Sequence, residues 1–150
     1  DAGGSMGRLA FELGNVYRAT GFEPPNSSLL HHLLVNEPEL MRQVPVVTQS
    51  GLENALQAVD AAMTNLSSER MARADAALIR REYENTARLM LYACRRGLLA
   101  LAGKDPDRDP ALRAELAAFL EEYRLLWLER SRPGGLKDSV RRFEELLGRA

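Results

Sequence analysis

Between Leu52 and Leu66 the apolar residues Leu52, Leu56, Val59, Met63 and Leu66 follow one another at intervals of four, three, four and three. That stepping lays a single greasy stripe along a helix, and almost nothing in the chain alternates as a half-buried strand does. The same period runs through Met6, Leu9, Leu13, Val16 and Tyr17, and through Ile79, Tyr83, Ala87, Met90, Cys94, Leu98 and Leu101. It returns in Leu112, Leu116, Phe119, Tyr123 and Leu126, widened by Leu120 and Trp127, and finally in Val140, Phe143, Leu146 and Leu147. A stripe is stable only when another element covers it. The expected fold is therefore all-α, an antiparallel bundle of four to five main helices with one long central helix.

Local punctuation divides these stretches. Gly21 stands where a left-handed helix end belongs, and Pro24, Pro25 and Asn26 mark a turn that Ser28 closes by capping a short helix over 29–34. Pro38 and Pro45 leave room for one helical turn around Leu40 and an extended 44–48. Ser50 with Glu53 has capping-box spacing and opens the second long helix. Ser67, Ser68 and Glu69 are expected to restart a helix that meets no strong stop before Gly103, with Gly97 as its weak position. Such a rod approaches 50 Å at about 1.5 Å per residue, so a kink or a protruding first half is expected. Asp109 as cap with Pro110 at the first helical position starts the next helix, and Pro133-Gly134-Gly135 ends it.

The 150 residues fit one helical domain, and 45% hydrophobic content supplies a core. A net charge of -1 argues against a nucleic-acid partner, which a basic excess would have to hold. The most apolar stretch, 87–102, is broken by Arg88, Arg95 and Arg96 and is shorter than the ~20 residues a bilayer needs, so no membrane span is expected. Cys94 is the single cysteine and has no internal disulfide partner, which leaves the compartment open. Asp1-Ala2-Gly3-Gly4-Ser5 has neither an initiator Met nor a signal-peptide layout, so the chain reads as an excised piece of a longer protein.

Candidate reactive groups each have an ordinary structural use. Asp105, Asp107 and Asp109 alternate like calcium ligands, but Pro110 stands where that loop needs Gly and Leu116 where it needs Glu, so capping is expected. Adjacent His31 and His32 point about 100° apart on a helix and cannot share a metal as an i, i+4 pair can. Cys94 falls on the apolar stripe and should be a buried, inert thiol. Glu121-Glu122 and Glu144-Glu145 lie among arginines, where solvated pairs such as Glu145 with Arg141 or Arg149 are ordinary. Arg81, Arg88 and Arg95 share a face that could receive an acidic partner, although Glu84 between them favours a solvated charged face. No phosphate-binding glycine loop, nucleophile elbow or zinc spacing occurs, so no catalytic, cofactor or metal residues are assigned.

The stretch from Tyr123 through Leu126, Trp127, Arg130, Ser131, Arg132, Pro133, Gly134, Gly135 and Leu136 to Asp138 and Ser139 resembles a segment of bacterial family 20 glycoside hydrolases, the β-N-acetylhexosaminidases. There a pattern Tyr-x-x-Leu-Trp-x-x-Arg-Asn-Arg-Pro-Gly-Gly-Leu-x-Asp-Ser closes a helical region behind the catalytic barrel; Ser131 stands here where Asn is expected. Leu13-Gly14-Asn15-Val16-Tyr17 and 84–95 look like the same tail. Enzymes of that family cleave terminal N-acetylhexosamine with the substrate's own acetamido oxygen as nucleophile, assisted by a barrel Asp-Glu pair. This chain has no Asp-Glu dipeptide and no strand-helix alternation for a barrel, so no catalytic residue carries over.

The resemblance implies a non-catalytic C-terminal accessory domain of a larger hydrolase, serving stability, association or substrate access. The partner would be the catalytic barrel, with association into a homo-oligomer left open. Trp127, Arg130, Arg132, Pro133, Gly134 and Gly135 are the residues expected to dock it, since Trp and Arg anchor interfaces and glycine admits a close backbone; a plain core Trp and a plain helix-to-helix turn explain them equally well. Two other readings stand beside it: a free-standing helical module that binds a partner protein, and carbohydrate binding by Tyr17, Tyr83 or Trp127.

Overall fold

Each apolar stripe lies on a helix of the structure, a computed structural model that describes residues 3–35, 47–68 and 71–148. Among the described residues there are seven α-helices and no strands: α1 Gly3–Gly14, α2 Val16–Ala19, α3 Leu29–Val35, α4 Gln49–Ser68, α5 Ala76–Leu101, α6 Pro110–Arg130 and α7 Leu136–Leu147. Single turns of 3-10 helix, Pro106–Arg108 and Pro133–Gly135, precede α6 and α7. The all-α antiparallel bundle is as expected. The segment around Leu40 lies outside the described residues.

Three boundaries differ from expectation. The first helix breaks at Asn15, whose φ of -107° and ψ of 4° leave the helical region, while its Nδ2 donates to the Phe11 carbonyl at 2.7 Å. Asn competes for backbone partners in this way, and Gly14 beside it adds little helical preference. At the start of α4 the cap is Thr48 rather than Ser50: Thr48 Oγ1 accepts from the Gly51 N–H at 3.0 Å, and Glu53 pairs with Gln49 at 2.7 Å. The expected rod from Ser67 to Gly103 begins only at Ala76 and is 26 residues long, about 39 Å. Helices that reverse direction need a connecting turn. It occupies residues before Ala76, where the Ala76 N–H bonds the Arg73 carbonyl and Arg73 forks onto Asp75 at 2.9 and 3.3 Å.

Other signals hold. Gly21 at φ 74° and Gly103 at φ 75° end α2 and α5 in the left-handed region that favours glycine. The Ser28 hydroxyl accepts from the His31 N–H at 3.2 Å, and Asp109 accepts from the Leu112 N–H at 2.9 Å.

Helix α5 is the wall shared by two cores. On one side α1 and α2 lie on α4, and α3 and α4 lie on α5. Leu9, Leu13, Leu33, Leu52, Val59 and Leu66 fill that core. Small residues let the helices come close: a Cβ on Gly97 of α5 would stand 2.8 Å from Leu52 and 3.0 Å from Leu33, and one on Gly51 would stand 2.3 Å from the Thr20 carbonyl oxygen. On the other side α6 packs on α5 and α7 on α6, around Tyr92, Leu112, Leu116, Phe119, Leu120 and Val140. Burial of such side chains is worth roughly 1.5–3 kcal/mol each against exposure, the main force holding the layers together.

Candidate functional site

Helix α6 carries Phe119, Tyr123, Leu126, Trp127 and Arg130 at three- and four-residue steps, and so on one face. Opposite them α5 presents Glu82, Asn85, Thr86 and Leu89 at the same period. Together these residues enclose an open cleft of about 280 Å³. Its wall is a run of rings, Phe119 to Tyr123 at 5.7 Å and Tyr123 to Trp127 at 6.0 Å between centroids. Phe143 of α7 meets Phe119 edge-on at 5.2 Å and backs that wall.

The half-buried indole of Trp127 is fixed on two sides. Its Nε1 donates to the Arg132 carbonyl at 3.0 Å. A Cβ on Gly135 would lie 2.9 Å from its Cζ2, so the turn can fold against the ring only with glycine there. One end of the cleft is closed by charge: Arg130 grips Glu82 through Nε and Nη2 at 2.7 and 2.9 Å and reaches Asp75 at 3.2 Å. The hydrogen bond from Arg73, joined by that from Arg130, pushes the Asp75 carboxyl down to about 2, and the Glu82 and Asp75 contacts raise Arg130 further above its ordinary value.

Of the residues expected to dock a partner, Trp127 and Arg130 line the cleft, and the carbonyl of Arg132 braces the indole. Arg132, Pro133, Gly134 and Gly135 are exposed beside it. The guanidinium of Arg130 is already occupied by carboxylates of the same chain, so Trp127 offers the more available contact of the two.

The most informative residue of the cleft is Asn85, which sequence reading passed over. It is only 3% exposed, and no group among the described residues donates to its Oδ1. Its i, i+3 and i, i+4 relation to Glu82 and Leu89 marks the face it shares, but only the packing of α6 across it makes that face an interior.

The other candidates resolve into structural roles. The Arg81-Arg88-Arg95 face does receive an acidic partner, supplied by α6: Arg81 pairs with Glu122 at 2.7 Å and Glu129 at 2.6 Å, and Arg95 with Glu115 at 2.8 Å. Glu144 pairs with Arg124 at 2.7 Å, and Glu145 with Arg142 at 3.4 Å rather than with Arg141. Asp105 caps the Asp107 N–H at 3.0 Å, and Asp107 bonds Arg96 at 2.8 Å. Arg96, which in sequence only interrupts an apolar run, is 2% exposed and also donates to the Leu33 carbonyl, tying α3, α5 and the 106–108 turn together. Burial pushes the Cys94 thiol up to about 12, the inert state expected of it. The His31 and His32 rings meet edge-on at 6.1 Å, and no cluster of three His, Cys, Asp or Glu is placed to hold a metal among the described residues. No described helix is long and apolar enough to cross a membrane. Tyr17 and Tyr83 are half-buried, Tyr83 against the first core.

The cleft can thus bind through ring faces, an apolar floor and one buried acceptor. No protein-family model, curated protein or solved structure matches the chain.

Proposed function

We propose that this chain is a non-catalytic helical domain of a β-N-acetylhexosaminidase-like glycoside hydrolase. It docks beside the catalytic barrel through the face that carries Trp127, and it supports stability, association or substrate access. The parent enzyme would release terminal N-acetylhexosamine residues.

One observation carries the reading: the stretch that resembles the family folds into one local unit. Tyr123 stacks on Trp127, the Arg132 carbonyl holds the indole nitrogen, and Gly135 lies flat against the ring. A plain helix-to-helix turn requires none of these. Side chains this constrained lose little freedom when a partner covers them, which is what an anchor residue needs. The reacting groups belong to the barrel, and the acids of the cleft are spoken for by Arg130.

Incubated with an aryl N-acetyl-β-glucosaminide, the isolated 150 residues are expected to give no turnover above buffer; clear hydrolysis would overturn the assignment. Reading the coding sequence upstream of Asp1 is the second test. A barrel-coding region there supports the proposal, and a start codon immediately before Asp1 favours the free-standing module instead.

A further inference from the structure

The cleft between α5 and α6 holds a contradiction that its own chain does not resolve. A buried carbonyl oxygen without a donor typically costs on the order of 1–3 kcal/mol, and Leu at position 85 would avoid that cost. Asn85 nonetheless sits at the floor of an otherwise apolar hollow, with Oδ1 unpartnered among the described residues. The missing half of the bond is a donor. A carboxylate, a carbonyl or a purely aliphatic group cannot supply it.

The walls narrow the choice. Tyr123 and Trp127 present rings on one side and Leu89 an apolar surface on the other, which favours a flat aromatic body. The volume of about 280 Å³ lies just under the range of roughly 300–1,000 Å³ usual for drug-sized ligands. The cleft is also open along its length, so a free ring would keep part of itself in water, whereas a ring carried on a polypeptide would be roofed by its own backbone. A second hollow of about 290 Å³, reaching to Tyr17 and His31, adjoins the first across the ridge of Thr86 and Leu89, which gives such a backbone a continuous track.

We propose that this cleft receives a tryptophan or tyrosine side chain of a partner protein, whose N–H or O–H donates to Asn85 Oδ1. The carboxamide turns about its last torsion to present that oxygen, and the ring lies between Trp127 and Leu89. The proposal goes beyond the hydrolase reading, because the occupant is set by the cleft's own chemistry and not by the reaction of any parent enzyme.

The test uses the full chain. Trp127 is its single tryptophan, so a nitrogen-proton spectrum contains one indole signal, reporting directly on the cleft. An acetylated, amidated Gly-Gly-Trp-Gly-Gly peptide is titrated against it, alongside the same peptide N-methylated on its indole nitrogen and bare 3-methylindole. The unmodified peptide, with its own indole left unlabelled, is expected to shift the Trp127 signal and the Thr86 and Leu89 amides saturably. The methylated peptide should bind roughly tenfold more weakly, the factor that one hydrogen bond to a buried group carries. In Asn85→Leu the two peptides should bind alike; the comparison on the unaltered chain stands even if that variant fails to fold.

Equal binding of the two peptides to the unaltered chain overturns the role of Asn85. Binding of 3-methylindole as tight as that of the peptide makes the cleft a small-molecule site and overturns the partner. Absence of saturable shifts overturns both. Turnover of an aryl N-acetylglucosaminide by the chain would sink the hydrolase-domain reading and leave this one standing.

Discussion

Helix α5 meets α4 and α6 by different chemistry. Toward α4 the contact is made by small residues: Gly97 takes Leu52 and Leu33 into the space a Cβ would need, and Ala55, Ala62, Ala93 and Cys94 are wholly buried around it. Toward α6 it is made by long side chains. Arg81, Arg95 and Arg130 bridge to carboxylates across the seam, and Phe119, Tyr123 and Trp127 stand between the backbones. Small residues bring helices together and leave no hollows; rings and guanidinium groups hold them apart and leave a cleft. The half of the molecule able to bind is the half that is less tightly filled.

Substitutions should separate the two sides. The largest effect is expected where they join: Asp107→Ala leaves Arg96 buried without its carboxylate and should cost about 3–5 kcal/mol in urea unfolding. Next comes the close-packed side. Gly51→Ala pushes a methyl against the Thr20 carbonyl, a backbone atom that cannot swing aside, and should cost about 3 kcal/mol, whereas Gly97→Ala meets leucine ends that can shift and should cost about 1–2 kcal/mol. A smaller effect than either is expected from Arg130→Gln on the α6 side, because its ion pairs are half-exposed and screened. The variant and the parent chain should converge in stability when unfolding is repeated in molar salt. If Arg130→Gln proved as damaging as Gly51→Ala, the contrast between the two interfaces would fail.

The smallest effect concerns acid. In the folded chain Asp75 titrates near 2, below its ordinary value of 3.8, so folding favours the ionised carboxylate. Its contribution is present in full above about pH 3.8 and is lost as pH falls through 2, a loss that Asp75→Asn should remove from the acid limb of the unfolding curve.

Features decided by neighbours in sequence were legible without coordinates. The Gly21 and Gly103 helix ends, the Asp109-Pro110 start and the stripe of α4 all follow from local backbone rules. The start of α5 was not legible, because Ser67 and Ser68 read as a cap while in fact closing α4; the reversal is dictated by the bundle. Thr48 prevails over Ser50 for the same reason, since starting α4 at Gln49 brings Gly51 against Thr20. Of the cleft, Trp127 and Arg130 could be singled out from sequence. Asn85 and Arg96 could not, because an amide and a guanidinium on a mixed helix look solvated until α6, α3 and the 106–108 turn are laid over them.

The shared wall also sets how the molecule comes apart. Removing α6 and α7 strips one flank of α5, and removing α1 to α4 strips the other, so neither group of helices leaves behind a remnant with both flanks covered. Melting followed at Trp127 on one flank and at the Cys94 thiol on the other should therefore trace the same curve, a single cooperative transition in which the central rod dissolves together with everything that leans on it.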